Sequence, residues 1–395
     1  MFFKYSDKKS LLGEAISRRI DLDYLRVFVV LLVLYHHSII AYATFAYINP
    51  ENPIATFSPV VNEQRLEFFD LIIAYNDVYF MQLMFFISGL FVWKSLGKKG
   101  IKNFLVNRLK RLGIPFIICV PIIVPLAYYP AVLEVQLIYG GDTSYMDFWS
   151  HMIKNGFSTA GPLWFLWVLL VFDFIAAVLY HLIPSAEHII KRASLFFERP
   201  LLFFMALLGI TTLSYLPILL IFDSQQWIGI GPFTVQASRI LLYLVYFLAG
   251  TAVGIYGLDS KLFRADGPLA KRWWIWLNGS LLIFAAYIII LVKEVNIPAL
   301  SGLIFTISCA AIIMSTIGFF IKYANRRFRI LDSLSSNAYG IYIIHYLFVN
   351  WLQYAILQNK LSPFLKGNFV FIGTLLLSWI IIAAIRLIPQ VKKII

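Results

Sequence analysis

The chain has 395 residues, of which 61% are hydrophobic and only 13% are charged. A soluble globular domain carries about a quarter charged residues, so this composition excludes that class. The net charge of +13 does not indicate nucleic-acid binding, because the basic residues stand in short segments beside apolar runs, as in membrane proteins.

Apolar runs of about 18 residues or more recur along the whole chain, and each could cross a bilayer. Their backbone must satisfy its own hydrogen bonds, which predicts helices, and the alternation of a membrane β-barrel does not occur. The predicted fold class is therefore all-α, a polytopic integral membrane protein with a single membrane-embedded domain over residues 1–395. The ten predicted spans are 24–44, 76–94, 112–130, 162–182, 201–221, 239–257, 273–292, 299–321, 337–357 and 368–388.

Lys and Arg are distributed unevenly between the spans. Of the 33 basic residues, 27 lie in the N-terminal segment, the C-terminal tail and alternate loops. Such residues mark cytoplasmic segments, so an even number of spans predicts that both termini are cytoplasmic. The polar N-terminus does not resemble a cleavable signal peptide. Segments 45–75 and 131–161 then face outward and are polar and aromatic enough to contact a substrate.

The first span carries two histidines. Arg26 and His37 are 11 residues apart, which places both on one helix face, about 16 Å apart along the axis. Adjacent histidines point about 100° apart, and the face shared with Arg26 favours His37 over His36 in a polar cavity. Histidine suits proton transfer near neutral pH, although an interhelical hydrogen bond is the structural alternative. Arg26 suits an interface anchor equally well, with Asp23 as its partner or as a helix cap.

The second span and the basic loop after it carry further polar groups. Asn76, Asp77 and Gln82 lie at or within the span, and the small pair Ser88–Gly89 predicts close helix contact. Downstream, Arg108 and Arg111 are spaced i, i+3 on a predicted interfacial helix, beside Lys102 and Lys110. Such a pair can hold phosphates, and it is equally typical of anchoring at the inner surface.

Polar residues also occur in the fourth and ninth predicted spans. Asp173 lies near mid-span, where a carboxylate should be paired or neutral, in a binding site or in a structural hydrogen bond. Tyr339, Tyr342 and His345 follow at i, i+3 and i+6, a loose polar stripe that also suits interhelical hydrogen bonding. We expect Ser335 or Ser336 to cap the ninth span.

No nucleotide-binding or zinc motif is present, and Cys119 and Cys309 predict no disulfide framework. His151, His181 and His188 lack metal-ligand spacing and receive no predicted role. Five motifs remain. They are LDYLR with Arg26-x10-His37, FFISG at 85–89, RLKRLGIP with Arg108-x-x-Arg111, PLWFL at 162–166 and YGIYIIH at 339–345.

With these motifs in this order, nearly the whole chain resembles acyltransferase family 3, integral-membrane O-acyltransferases of surface polysaccharides and glucans. The wording FMQLMFFISG and R-x-x-RLGIP is most similar to the glucan succinyltransferase branch. The resemblance implies transfer of an acetyl or succinyl group from cytoplasmic acyl-coenzyme A to a hydroxyl of a glycan or other cell-envelope acceptor. It also implies a location in the inner (plasma) membrane.

The resemblance implies residue roles as well. His37 corresponds to the family's histidine and is expected to act as general base, with Arg26 as the second catalytic residue. Arg108 and Arg111 correspond to the pair that holds the donor's phosphates. The other expected substrate-binding residues are His36, Asp173, Tyr342 and His345. Acyl-coenzyme A is expected as co-substrate, the lipid bilayer as surroundings, and neither a bound cofactor nor a metal is expected.

Two other functions fit many spans with polar residues inside them. A secondary transporter or flippase needs a polar cavity near the bilayer midplane, but the sequence has no visible internal repeat and few titratable residues at mid-span. A non-catalytic membrane scaffold would tolerate replacement of His37 and Arg26.

Overall fold

The computed structural model describes residues 19–293 and 297–395, so the polar N-terminal start of the chain lies outside the described residues. Within the described part, nine helices are long and apolar enough to cross a membrane. The predicted fold class, all-α and polytopic in the membrane, is confirmed.

The structure consists of seventeen α-helices and one β-hairpin within these residues. In chain order they are α1 Ile20–Ile39, α2 Glu67–Gly89, α3 Val92–Lys99, α4 Ile101–Arg108, α5 Ile114–Tyr139, α6 Tyr145–Lys154, α7 Trp164–Leu182, α8 Ala186–Arg192, α9 Ser194–Glu198, α10 Pro200–Leu219, β1 Trp227–Ile230, β2 Phe233–Gln236, α11 Ile240–Tyr256, α12 Pro268–Lys271, α13 Trp273–Val292, α14 Pro298–Tyr323, α15 Arg329–Ala355, α16 Pro363–Ile385 and α17 Pro389–Lys392. Each of the ten predicted spans overlaps a long helix.

The ninth predicted span overlaps α15, which is not among the nine apolar helices. Its 27 residues give a length of about 40 Å, enough to cross a bilayer, but its sequence is more polar than that of the other long helices. The predicted cap at Ser335 or Ser336 is wrong, because α15 already begins at Arg329. The Ser336 hydroxyl instead donates to the carbonyl of Asp332 inside the helix.

The outward segments differ from the prediction in two ways. They are shorter than 45–75 and 131–161, because α2 begins at Glu67 and α5 continues to Tyr139. The antiparallel hairpin of β1 and β2 was not predicted. Its strands are too short to stand out beside the apolar runs, and its signal is the Gly231–Pro232 turn between them.

The long helices alternate in direction, so the bundle has two ends. We call the end with most of the Lys and Arg residues the basic face and the opposite end the cavity face. The basic face carries Arg19 and segments 90–113, 183–199, 257–272 and 324–328, and the cavity face carries segments 43–66, 140–160 and 220–239. Arg19 joins segments of the basic face by donating to the carbonyls of Leu258 and Phe263.

Helices α2 and α11 touch along their backbones. A Cβ atom at Gly250 would lie 2.0 Å from the carbonyl oxygen of Phe86, and one at Gly89 would lie 2.1 Å from that of Phe247. The close contact predicted at Ser88–Gly89 is therefore confirmed. Small residues allow this approach where lipid provides no hydrophobic drive between helices.

We expect Gly250→Ala to lower the melting temperature of the purified protein. The added methyl group must push α2 and α11 apart, and overpacking of this kind costs about 1–3 kcal/mol. Gly209→Ala is the matched control, because no atom lies within 4 Å of the Cβ position at Gly209 in α10. A melting temperature of Gly250→Ala equal to or above that of the wild type would contradict a tight contact between α2 and α11.

Candidate functional site

The two histidines of α1 have different surroundings. His37 lines an open cavity at the cavity face. The His36 ring is 8% exposed and stacks on Phe80, with 5.1 Å between ring centroids. The two imidazole planes stand 86° apart. Geometry therefore gives His37, and not His36, access to a ligand in this cavity.

The His37 cavity has a volume of about 500 Å³, in the range typical of small-molecule sites. Segment 43–66, the loop before α7 and the β-hairpin form its walls, and Tyr128 of α5 and Tyr346 of α15 lie beside His37. Its other lining residues are Tyr47, Asn52, Ile54, Ala55, Thr56, Phe57, Ser158, Thr159, Gly161, Pro162, Trp164, Gln225, Trp227 and Thr234. This lining of hydroxyls, amides and aromatic rings includes no Asp, Glu, Lys or Arg.

His345 lies against His37, with 5.4 Å between ring centroids. Its Nδ1 lies 2.5 Å from the carbonyl oxygen of Tyr342. A carbonyl only accepts, so Nδ1 carries the proton and Nε2 has a free lone pair. Nε2 is buried without a hydrogen-bond partner among the described residues. The Tyr342 hydroxyl donates to the carbonyl of Pro162, which fixes α15 against the cavity wall.

Two further residues of α15, neither of them predicted from the sequence, are neighbours of His37. The Tyr346 ring meets the imidazole edge-on, with centroids 4.9 Å apart. The Gln353 side-chain amide donates to the His37 carbonyl at 2.9 Å, and this bond holds α1 against α15. Gln353 follows Tyr346 by seven residues, about 20° short of two full turns, so both side chains lie on one face of α15.

Hydrogen bonds fix the cavity wall formed by segment 43–66. Glu134 of α5 is 1% exposed, and its two carboxylate oxygens accept from the Val61 N–H at 3.0 and 3.2 Å. Arg65 donates to the carbonyls of Ala41 and Ala46. The wall is thus ordered by the protein itself.

At the basic face, Arg108 pairs with Asp173. The Arg108 Nε lies 3.1 Å from Asp173 Oδ2, and the Asp173 side chain is fully buried. Asp173 is thus paired, one of the alternatives the sequence left open. The guanidinium also stacks over Phe104, 5.1 Å from the ring centroid. The contact is an ion pair without a hydrogen bond, because neither Asp173 carboxylate oxygen has a hydrogen-bond partner among the described residues.

Arg111 belongs to a π-helical turn, Leu109–Gly113, that joins α4 to α5. This turn changes the helical spacing after Arg108, and Arg111 is exposed while Arg108 is half-buried. The Tyr339 hydroxyl donates to the Arg111 carbonyl and ties the turn to α15. π-Turns within helices often occur at functional sites.

Arg26 lies towards the basic face, three helical turns from His37. Its guanidinium is 3.7 Å from the Asp23 carboxylate, in agreement with the pairing considered from the sequence. It does not line the His37 cavity. The structure therefore does not bring Arg26 and His37 together, and the catalytic role of Arg26 stays a prediction.

A second ion pair, between Arg239 and Asp77, was not predicted, although Arg239 begins the sixth predicted span and Asp77 was noted in the second. The Arg239 guanidinium is 3% exposed and donates to both Asp77 carboxylate oxygens, at 2.9 and 2.6 Å. It also lies over the Phe305 ring, 5.0 Å from the centroid. The pair joins the start of α11 to α2, about three helical turns from the backbone contact between these helices.

Comparison of the sequence with protein-family profiles gives one match, to the acyltransferase domain of acyltransferase family 3, over residues 19–383. The chain belongs to this family. Searches of curated proteins and of solved structures returned no match. The family membership makes the protein a multi-pass membrane acyltransferase, an enzyme that moves an acyl group other than an aminoacyl group from a donor to an acceptor. Within residues 19–293 and 297–395, no cluster of three or more His, Cys, Asp or Glu residues is placed to hold a metal ion.

We expect Asp77→Ala to destabilise the acyltransferase strongly, because it leaves Arg239 buried without its carboxylate. Breaking a buried pair costs about 3–5 kcal/mol, and the partial exposure of Asp77 favours the lower end. Thermal unfolding of the purified protein measures this loss.

Two further variants make the measurement specific. Adding Arg239→Met to Asp77→Ala removes the unpaired charge and should restore most of the melting temperature. Asp266→Ala breaks the exposed Arg264–Asp266 pair and should change it little. If all three variants have the same melting temperature, the Asp77–Arg239 pair does not stabilise the contact between α2 and α11.

Proposed function

We propose that this acyltransferase moves an acetyl or succinyl group from acyl-coenzyme A to a hydroxyl of a glycan or other cell-envelope acceptor. The supporting observation is the arrangement along the bundle: an imidazole in an uncharged, hydroxyl-rich cavity at one end and arginines at the other. The acceptor binds in the His37 cavity and the donor binds at the basic face, which we propose is cytoplasmic in the inner membrane.

The donor's phosphates bind Arg108 and Arg111 in this proposal. Asp173 is the counter-ion of Arg108 and keeps the guanidinium near this position, where its N–H groups can bind a phosphate. Arg111 is exposed at the same face. Arg26 belongs to this end of α1, about 16 Å from His37, and its predicted catalytic role would be exerted on the donor side.

The acyl-pantetheine arm must then reach from the basic face to His37. The separation of Arg26 and His37 along α1 is about 16 Å, so the arm has to thread between helices. Gln82 of α2 is fully buried, and its side-chain amide has no hydrogen-bond partner among the described residues. We place it among the groups that bond the amides of the arm.

His37 acts as general base in the transfer. Its imidazole removes the proton of the acceptor hydroxyl while the oxygen forms a bond to the thioester carbonyl carbon. The tetrahedral intermediate collapses with loss of the carbon–sulfur bond, and the imidazolium returns the proton to the coenzyme A sulfur. A positioned base of this kind contributes about 10²–10⁴-fold to the rate.

The first experiment is calorimetric titration of the protein in nanodiscs with acetyl-, succinyl- and other acyl-coenzyme A thioesters. We expect saturable binding of one thioester, retained in His37→Gln and lost in the double variant Arg108→Gln with Arg111→Gln. Lys322→Gln with Arg326→Gln removes equal charge from the same face and should leave binding intact. No binding of any thioester would contradict the proposal and favour the transporter, which flux measurements would then test.

We expect His345 to orient His37, which nitrogen NMR of labelled histidines can test without a substrate. His345 should show the tautomer protonated at Nδ1, because the Tyr342 carbonyl accepts that proton. His345→Phe should shift the His37 ring signals, and His188→Phe at an exposed position should not. A His345 protonated at Nε2 instead would rule out this arrangement.

A further inference from the structure

A second cavity of about 600 Å³ lies at the cavity face, between segment 50–54, the end of α5 and α6. It adjoins the His37 cavity, because Asn52, Ile54 and Ser158 line both. Its floor is apolar and buried, formed by Val132, Phe148 and Met152. Its polar rim consists of Glu51, Asn52, Gln136, Thr143, Asp147, His151, Asn155 and Ser158.

The charge of this second cavity restricts its ligand. Two carboxylates, Glu51 and Asp147, stand among the lining residues, which include no Lys or Arg. An anionic ligand would meet like charge without a partner. An apolar floor under a rim of amides and hydroxyls suits a ring with an apolar face and hydroxyls at its edge, as in a neutral sugar.

Hydrogen bonds order the rim before any ligand binds. The Gln136 amide nitrogen donates to the Thr143 carbonyl at 2.9 Å, so its carbonyl oxygen remains an acceptor. Asn155 and His151 contact each other at 2.7 Å. A rim fixed in this way loses less entropy on binding than mobile side chains would.

We propose that the second cavity is a distal subsite for a neutral oligosaccharide acceptor whose reacting unit lies beside His37. The two adjoining cavities then form one cleft, and the acceptor is an oligomer rather than a single sugar. The inference rests on the proposed function for the acceptor class, and it adds the size and charge of that acceptor.

Binding of a length series tests the proposal. Calorimetry with glucose and the β-linked glucose oligomers from the disaccharide to the hexasaccharide should give an affinity that rises with length. In Gln136→Ala with Asn155→Ala, the hexasaccharide should lose about tenfold in affinity, as expected for two hydrogen bonds, while the disaccharide is unaffected. Asn103→Ala, an exposed amide on the basic face, is the matched control.

Three outcomes would overturn the subsite: an affinity independent of length, tighter binding of an oligogalacturonate than of the neutral series, or no binding of any oligomer. None of them affects the donor half of the proposed function, because acyl-coenzyme A binding is measured separately. If the protein binds no thioester but its affinity for the oligosaccharides still rises with their length, the enzyme mechanism is contradicted and the glycan subsite is still supported.

Discussion

A charged or polar side chain inside a membrane bundle needs a partner, and this requirement determines how the helices meet. Bilayer hydrocarbon offers none, so the partner must come from another helix. Arg239 finds Asp77 across α11 and α2, and Arg108 finds Asp173 across α4 and α7. These pairs join segments far apart in the chain and give each helix one preferred rotation. Apolar packing alone could not select this rotation, because the apolar surface is similar on all sides of each spanning helix.

The same requirement separates the two functions of the site. Charged groups that can hold a phosphate lie at the basic face. Arg111 is exposed there, so its guanidinium avoids the free-energy cost of removing a charge from water. The cavity face instead presents hydroxyls, amides and aromatic rings around His37. Helix α1 connects the two ends, with Arg26 near the basic face and His37 near the cavity face. Under the proposed function, an anionic donor and an uncharged acceptor therefore enter from different ends and meet at the His37 imidazole.

Local patterns were sufficient to predict the helical class, the number of long helices and the facing of His37, because each depends on hydropathy or the helical period. Local patterns could not predict which residues of different helices contact each other. Arg239 stood at the start of the sixth predicted span, and its pairing with Asp77 was not predicted because that carboxylate belongs to another helix. Ser335 was expected at a helix start because the polar first turns of α15 look like a loop, although tertiary contacts keep them helical. Tyr346 and Gln353 lie among ordinary membrane aromatics and amides, and only the fold brings them to His37.

The group around His37 combines rigid packing with unused bonding capacity. The Tyr346 ring packs against the His37 imidazole, and Gln353 bonds the His37 backbone carbonyl, yet several buried polar atoms of α1 and α15 have no partner among the described residues. These atoms are His37 Nδ1, His345 Nε2, Asn350 Oδ1 and Gln353 Oε1. Each unsatisfied buried group costs about 1–3 kcal/mol, so their survival requires stabilisation from elsewhere. Close packing elsewhere in the bundle, such as the glycine contact of α2 with α11, must offset this cost.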